Sequence, residues 1–212
     1  MAVGYQRENL PSCWQEFNHI NRYWDKHTGM STAKILPGEF YVTSNNEIIT
    51  TILGSCISAC VRDPKAGIGG MNHFMLPIGA SSNGIQKADA DAARYGNFAM
   101  EQMINDILRN GGVRERLELK IFGGGRVMRG VTDVGKKNII FVKEYIELEG
   151  LRLLAEDVGG NYPRKVMYQP KTGKVKMKKL VTQHNDTVET RDENYFEKIT
   201  HQKTEGEIEL FD

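Results

Sequence analysis

Residues 47–76, with the sequence EIITTILGSCISACVRDPKAGIGGMNHFML, decide the fold class of this chain. Within them, residues 47–53 and 56–62 are rich in β-branched and apolar side chains, a composition that predicts two strands. Residues 63–67 have the composition of a turn, and residues 68–76 predict a strand that returns along its predecessor. A β-hairpin with a preceding strand therefore forms the predicted centre of the domain.

Elements on either side of this hairpin indicate an α+β fold. Further strands are predicted at residues 38–42, 117–122, 151–155, 164–169 and 174–180, helices at residues 94–109 and 135–149, and a loop at residues 78–92. This order predicts a layered core of mixed or antiparallel β-sheet with two or three flanking helices. The glycines at 123–125 leave two readings open, a tight turn after a strand or a backbone crossing beside a functional site.

Three segments are predicted along the chain. Residues 1–35 form an N-terminal extension with an amphipathic helix, because Ser12 and Gln15 have capping-box spacing and apolar residues recur there at helical steps. This helix either docks on the domain or binds a partner. Residues 36–180 form the main domain, and residues 181–212 form an acidic, flexible tail.

The net charge of +1, from 28 Lys and Arg against 27 Asp and Glu, combines two unlike parts. Residues 181–212 hold nine acidic and three basic residues, so the tail carries −6 and the first 180 residues carry +7. The near-neutral total disfavours a nucleic-acid or membrane-surface binder, and we expect no membrane insertion. Three cysteines do not make a disulfide framework, and we expect the reducing cytoplasm as the location.

Cys56 and His73 are the candidate catalytic pair. A thiol becomes a nucleophile when a neutral imidazole within hydrogen-bond reach takes its proton. If residues 63–66 form the hairpin loop, then Arg62 faces Gly67, and Cys56 faces His73 directly with their Cβ atoms about 4.5–5.5 Å apart. The alternative also stays open that Cys56 is a small buried apolar residue and His73 a hydrogen-bonded core residue.

Eight short motifs add a more specific signal. In chain order they are TTILGSC at 50–56, RDP at 62–64, GGMNHFMLP at 69–77, RYGN at 94–97, KIFGGG at 120–125, GKKN at 135–138, AEDVGG at 155–160 and RKV at 164–166. In content and order they resemble the chemoreceptor glutamine deamidase family, CheD. The resemblance covers residues 36–180, which would make them a deamidase domain with a layered fold of the cysteine-hydrolase type.

The resemblance implies a protein-glutamine glutaminase that converts chosen chemoreceptor glutamines to glutamate, through a cysteine thioester, with release of ammonia. Cys56 matches the nucleophile of the family, His73 its base and Thr50 its third residue, with the adjacent Thr51 as the alternative. Backbone N–H groups near the cysteine suit an oxyanion, and one amide suits substrate orientation. These candidate oxyanion and substrate-binding residues are Gly54, Ser55 and Asn72. We expect neither a metal nor an organic cofactor.

The implied partners are methyl-accepting chemotaxis receptors, contacted at their cytoplasmic helical region, and a CheC-like chemotaxis phosphatase. Two other functions stay open. The chain could be a regulatory binding module for such a phosphatase, in which case Cys56 would be dispensable. It could also be a receptor-glutamate methylesterase that uses the same cysteine and releases methanol.

Overall fold

A computed structural model describes residues 10–77, 85–128, 133–180 and 186–201. The strands of this part are β1 (Asn21–Asp25), β2 (Met30–Lys34), β3 (Phe40–Thr43), β4 (Ile48–Leu53), β5 (Ile57–Asp63), β6 (Ile68–Asn72), β7 (Glu118–Gly123), β8 (Arg152–Val158), β9 (Arg164–Gln169) and β10 (Lys174–Lys179). The helices are α1 (Ile85–Arg109), α2 (Val134–Leu148) and α3 (Asp186–His201), with short 3-10 turns at Gln15–Phe17 and Arg114–Arg116.

The strands form two five-stranded sheets, in the orders β1-β2-β4-β9-β10 and β3-β6-β5-β7-β8. The pairs β2–β4 and β7–β8 are parallel and the other pairs are antiparallel. Both sheets are therefore mixed. Together with the three helices they confirm the predicted α+β fold class.

The two sheets face each other. Helices α1 and α2 pack on the second sheet, against β3, β5, β6 and β8. The opposite face of that sheet meets the first sheet, as shown by Lys120 of β7, whose ammonium donates to the carbonyl of Gly173 in the β9–β10 turn. Strands β4, β5 and β6 are almost entirely buried because they are covered on both sides.

The predicted N-terminal helix is wrong, and so is the domain boundary at residue 36. Strands β1 and β2 form a hairpin, and β2 pairs in parallel with β4 at the centre of the first sheet. Gly29 closes the hairpin in the left-handed region, at φ +64°, and its N–H donates to the Asp25 carbonyl. Sheet pairing thus overrides the local helical spacing, which survives only as the 3-10 turn that buries Phe17.

The β5–β6 hairpin forms as predicted, but its register differs by two residues. Asp63 pairs with Ile68, so the loop comprises residues 64–67. The carboxylate of Asp63 accepts hydrogen bonds from the N–H groups of Lys65 and Ala66, and its carbonyl accepts one from Gly67. These bonds stabilise a four-residue loop with Gly67 at φ +69°. Direct pairing of Cys56 with His73 is therefore wrong.

Two segments predicted to be irregular contain helix. Helix α1 begins at Ile85, within the predicted loop at 78–92, and residues 78–84 lie outside the described residues. Residues 186–201 of the predicted flexible tail form helix α3, whose Ile199 is buried in the core. The remainder of the tail, residues 181–185 and 202–212, lies outside the described residues.

Candidate active site

His73 directly follows β6, and its side chain reaches across to the neighbouring sheet. The Nδ1 atom of His73 lies 2.8 Å from Oγ1 of Thr51 in β4. The Thr51 hydroxyl also donates to the carbonyl of Ile35, at 2.8 Å. Since Thr51 and His73 are both buried, the junction of the two sheets holds the imidazole in place.

The hydrogen bonds of Thr51 determine which nitrogen of His73 carries the proton. A hydroxyl has one proton and a carbonyl oxygen can only accept, so the Thr51 proton lies on the bond to Ile35. Oγ1 then accepts from Nδ1–H of His73, which leaves Nε2 of the neutral ring with a free lone pair. Nε2 is buried and makes no hydrogen bond to the described part of the chain. It is therefore able to accept a proton.

Cys56 precedes β5 and lies on the same face of the ladder as His73. Ile57 and Phe74 form an antiparallel bridge in which each N–H donates to the other carbonyl, both at 2.9 Å. Continuing this register sets Cys56 opposite Met75, two residues from His73. Cys56 and His73 are thus diagonal neighbours. The Cβ atoms of diagonal neighbours are about 7–8 Å apart or somewhat less, a distance that aromatic and long side chains can span.

The electrostatic environment keeps both groups uncharged. Burial raises the pKa of the Cys56 thiol well above its ordinary value, with a further rise from Asp192 and an opposing effect of Arg191. Burial also lowers the pKa of the His73 imidazole well below its ordinary value, and Arg191 acts in the same direction. The resting site therefore holds a protonated thiol and a neutral imidazole, the pair from which proton transfer in a cysteine hydrolase starts.

The backbone around Cys56 is fixed by the glycine run at 123–125. Gly124 donates its N–H to the Cys56 carbonyl at 2.7 Å, and Gly125 donates to the Gly54 carbonyl at 2.8 Å. Gly123 and Gly124 have φ of +116° and +64°, values that favour glycine. The run thus ends β7 and lies against the backbone of Gly54 and Cys56, as expected for a backbone crossing beside the candidate site.

Asn138 in α2 holds the same loop from the other side. Its Nδ2 donates to the Ser55 carbonyl at 2.9 Å, and its Oδ1 accepts from the Leu76 N–H at 2.9 Å. One buried amide thus joins the segment before Cys56 to the segment after His73. Sequence reasoning misses Asn138 as a site residue, although Asn138 ends the GKKN motif, because an asparagine within a helix does not indicate which groups it will bind.

Ser55 already binds an anionic group. Its N–H donates to the Asp192 carboxylate at 2.8 Å, and its hydroxyl donates to the same oxygen at 2.9 Å. Asp192 belongs to α3 and is fully buried. The backbone N–H of Ser55, a predicted oxyanion donor, therefore faces a negatively charged oxygen. No sequence pattern indicated Asp192 as a site residue, since it lies 137 residues from Ser55.

Two predicted site residues have other contacts. Thr50 points away from His73, and its hydroxyl donates to the Val166 carbonyl at 2.9 Å. Because adjacent strand residues face opposite sides, only Thr51 reaches the imidazole, and the choice of Thr50 is corrected. Asn72 is structural as well, since its side chain accepts from the Ala59 N–H at 2.8 Å and donates to the Ala99 carbonyl at 3.1 Å.

Comparison with known proteins identifies the family. The family model described as CheD chemotactic sensory transduction matches residues 75–179. The probable chemoreceptor glutamine deamidase CheD of Halorhodospira halophila is 55% identical over 204 residues, covering 95% of this chain and 94% of that protein. This chain belongs to the CheD family. The corresponding CheD protein of Hahella chejuensis is 54% identical over 195 residues, covering 92% of each chain.

The extent of the CheD likeness matters for the site. The family-model match begins after Cys56 and His73, but the likeness to the Halorhodospira CheD protein spans nearly the whole chain and so includes both positions. A solved structure of a DUF152-family protein from Neisseria meningitidis has a TM-score of 0.37 at 7% identity, covering 57% of this chain and 53% of that one. The fold class therefore rests on the strands and helices described above. Among the described residues, no helix has the length and apolar character to cross a membrane.

Proposed function

We propose that this CheD protein is a cysteine-dependent protein-glutamine glutaminase of chemoreceptors. The observation that carries the proposal is the buried Nε2 of His73, which makes no hydrogen bond to the described part of the chain, and the Ile57–Phe74 bridge supports its placement diagonal to Cys56. Family membership supports the substrate, because the related proteins are named as chemoreceptor glutamine deamidases. The proposed substrate region is the cytoplasmic helical part of the receptor, and the proposed location of the enzyme is the cytoplasm.

In the first half of the reaction, Nε2 of His73 takes the proton of the Cys56 thiol. The thiolate attacks the carboxamide carbon of the glutamine and forms a C–S bond, while the C=O electron pair moves to the oxygen. The proposed donor to that oxyanion is the N–H of Ser55, and its hydrogen bond to the Asp192 carboxylate oxygen supports this role. Collapse of the intermediate breaks the C–N bond, and the imidazolium returns the proton to the leaving ammonia.

In the second half, water hydrolyses the thioester. Nε2 of His73 takes a proton from the water, the hydroxide attacks the thioester carbon, and the C–S bond breaks. The imidazolium returns its proton to the Cys56 sulfur, which leaves the thiol, the neutral base and the glutamate product. A cavity of about 70 Å³ borders His73 and is lined also by Tyr95 and Gln102. That volume is ample for a water molecule. Thr51 acts as a positioning residue throughout, because it holds the ring with Nε2 unprotonated.

Mass spectrometry of a purified receptor cytoplasmic fragment tests the proposal. Incubation with the wild-type enzyme should convert specific glutamines to glutamate, and Cys56→Ala and His73→Ala should abolish the conversion. Cys60→Ala is the matched control, because Cys60 is equally buried four residues further along the chain, in β5. Conversion that persists in Cys56→Ala would refute the cysteine mechanism.

The same reaction mixtures separate the alternatives. Methanol release from a methylated fragment, in place of ammonia from an amidated one, would identify a methylesterase. A CheC-like phosphatase is the second proposed partner, and adding it tests whether it changes the conversion rate. If Cys56→Ala still binds and regulates such a phosphatase, the protein combines a binding role with the hydrolase.

A further inference from the structure

Helix α3 covers the candidate active site with one of its faces. The residues of this face recur at helical spacing, as Val188, Asp192, Tyr195 and Ile199. Asp192 and Ile199 are buried, and Tyr195 packs against the core. The face therefore has three apolar or aromatic residues that flank a single carboxylate.

The central contact of this face is with the residues that precede Cys56. Asp192 accepts two hydrogen bonds from Ser55, and a Cβ atom at Gly54 would lie only 2.5 Å from its carboxylate and 3.1 Å from Val188. Gly54 therefore permits the close approach of the helix. At the other end of the contact, the Tyr195 hydroxyl lies 2.6 Å from that of Tyr95 in α1. The helix thus bridges the active-site loop and α1.

The contact between Asp192 and Ser55 resembles the contact expected for a bound substrate side chain. A carboxylate on a helix lies against the N–H that suits the oxyanion of a glutamine undergoing hydrolysis. A carboxylate lacks the amine leaving group of a carboxamide, so it can bind there without being consumed. Cys56 and His73 are 0% and 1% exposed in this arrangement, so the thiol and the imidazole are closed to a substrate side chain.

We propose that α3 is an intramolecular competitor that occupies the groove for the receptor helix, with the Asp192 carboxylate in the place of the substrate carboxamide. The inference rests on the proposed function. The enzyme is closed at rest, and a receptor helix gains access by displacing α3. The preferred substrate is accordingly a helix whose target glutamine has apolar residues four positions before it and three and seven positions after it, in the pattern that α3 presents around Asp192.

The alkylation rate of Cys56 tests the closed state without relying on deamidation. Full-length wild type and Asp192→Ala are treated with iodoacetamide, and mass spectrometry follows each cysteine separately. Loss of the charge-assisted bonds to Ser55 should speed alkylation of Cys56 about tenfold or more. Cys60, buried in β5, reports unfolding and should stay protected. Asn194→Ala is the matched control, since it removes an exposed amide from the same helix and should behave as wild type.

Steady-state kinetics on the receptor fragment provide the second measurement. A competitor within the chain raises the apparent KM by the inverse of the open fraction and leaves kcat unchanged. Asp192→Ala should therefore lower KM about tenfold at constant kcat, and Asp192→Ser, which shortens the side chain and removes its charge, should act in the same direction if the alanine variant does not fold. Unchanged alkylation of Cys56 in a folded variant would overturn the inference. Faster alkylation without conversion of any glutamine would instead refute the proposed function.

Discussion

Replacing Thr51 by valine tests the assignment of the base most directly. Valine has nearly the same shape, so the packing of β4 is kept and only the hydroxyl is lost. Nδ1–H of His73 then has no acceptor, because the Thr51 hydroxyl is its partner in the wild type. A buried donor left without an acceptor costs about 1–3 kcal/mol. The ring either bears that cost or moves its proton to Nε2, where it can no longer accept from Cys56.

Either outcome lowers the population of the reactive imidazole. At about 1.36 kcal/mol for each factor of ten, this cost corresponds to a loss of about 5- to 160-fold in kcat/KM. Thr51→Ser keeps the hydroxyl and should retain most of the activity. Thr50→Val is the matched control, because it removes only the hydrogen bond to the Val166 carbonyl, and we expect a loss of about 1 kcal/mol in the free energy of unfolding with little change in activity.

Two measurements are needed, since a structural role alone could also reduce activity. Conversion of the receptor fragment, followed by mass spectrometry, gives kcat/KM for the four proteins. Nitrogen NMR of the imidazole distinguishes the two tautomers of His73, and the Nδ1–H form should dominate in wild type, Thr51→Ser and Thr50→Val but not in Thr51→Val. Wild-type activity in Thr51→Val, or an equal loss in Thr50→Val, would refute the reasoning.

Three further substitutions test the frame around the site. Asn138→Leu leaves the Leu76 N–H and the Ser55 carbonyl unpaired, and urea unfolding should show a loss of about 2–4 kcal/mol. Burial alone would raise the pKa of Asp63, but hydrogen bonds from Arg116 and from backbone N–H groups hold it below the ordinary 3.8. The stability that this carboxylate contributes is present above pH 3.8 and is lost as pH falls through the folded-state pKa, so Asp63→Asn should be less stable than wild type at pH 7 and approach it in acid. His73 has a folded-state pKa below the ordinary 6.5, so stability declines as pH falls below 6.5, and thermal unfolding of His73→Gln should show a weaker decline.

The strands at the centre of the fold were predictable because their sequences carry local signals. Residues 47–53 and 56–62 have β-branched composition, and a turn with proline and glycine separates the second run from its return strand. The register was not predictable from those signals. The side chain of Asp63 stabilises a loop shifted by one residue, and that shift moves every cross-strand pair by two. Cys56 and His73 remain on one face only because the change is an even number.

The N-terminal segment shows where local spacing misleads. Phe17 and its apolar neighbours are spaced at helical steps, which predicts a helix. In the structure the Phe17 ring instead packs edge-on against Phe40 and Tyr41, at centroid distances of 5.5 and 5.1 Å. A short 3-10 turn that buries one aromatic residue can therefore show the same apolar spacing as a longer helix. The next residues pair in β1 and β2 because the sheet edge at β4 offers unpaired backbone groups, which no local pattern reveals.

Average composition does not reveal the apolar side of helix α3 within the acidic tail. Nine acidic residues among residues 181–212 predict a segment too charged to fold, since its average apolar content is low. Within α3, however, Val188, Tyr195 and Ile199 share one side of the helix, and an average over the segment cannot register that arrangement. Asp192 lies in the middle of that side, where burial of a carboxylate would be costly without partners. The two hydrogen bonds from Ser55 and the ion pair with Arg191 offset that cost, and they place the buried charge beside Cys56. The position of the Asp192 carboxylate is therefore better explained by its contact with the candidate site than by a contribution to the stability of α3.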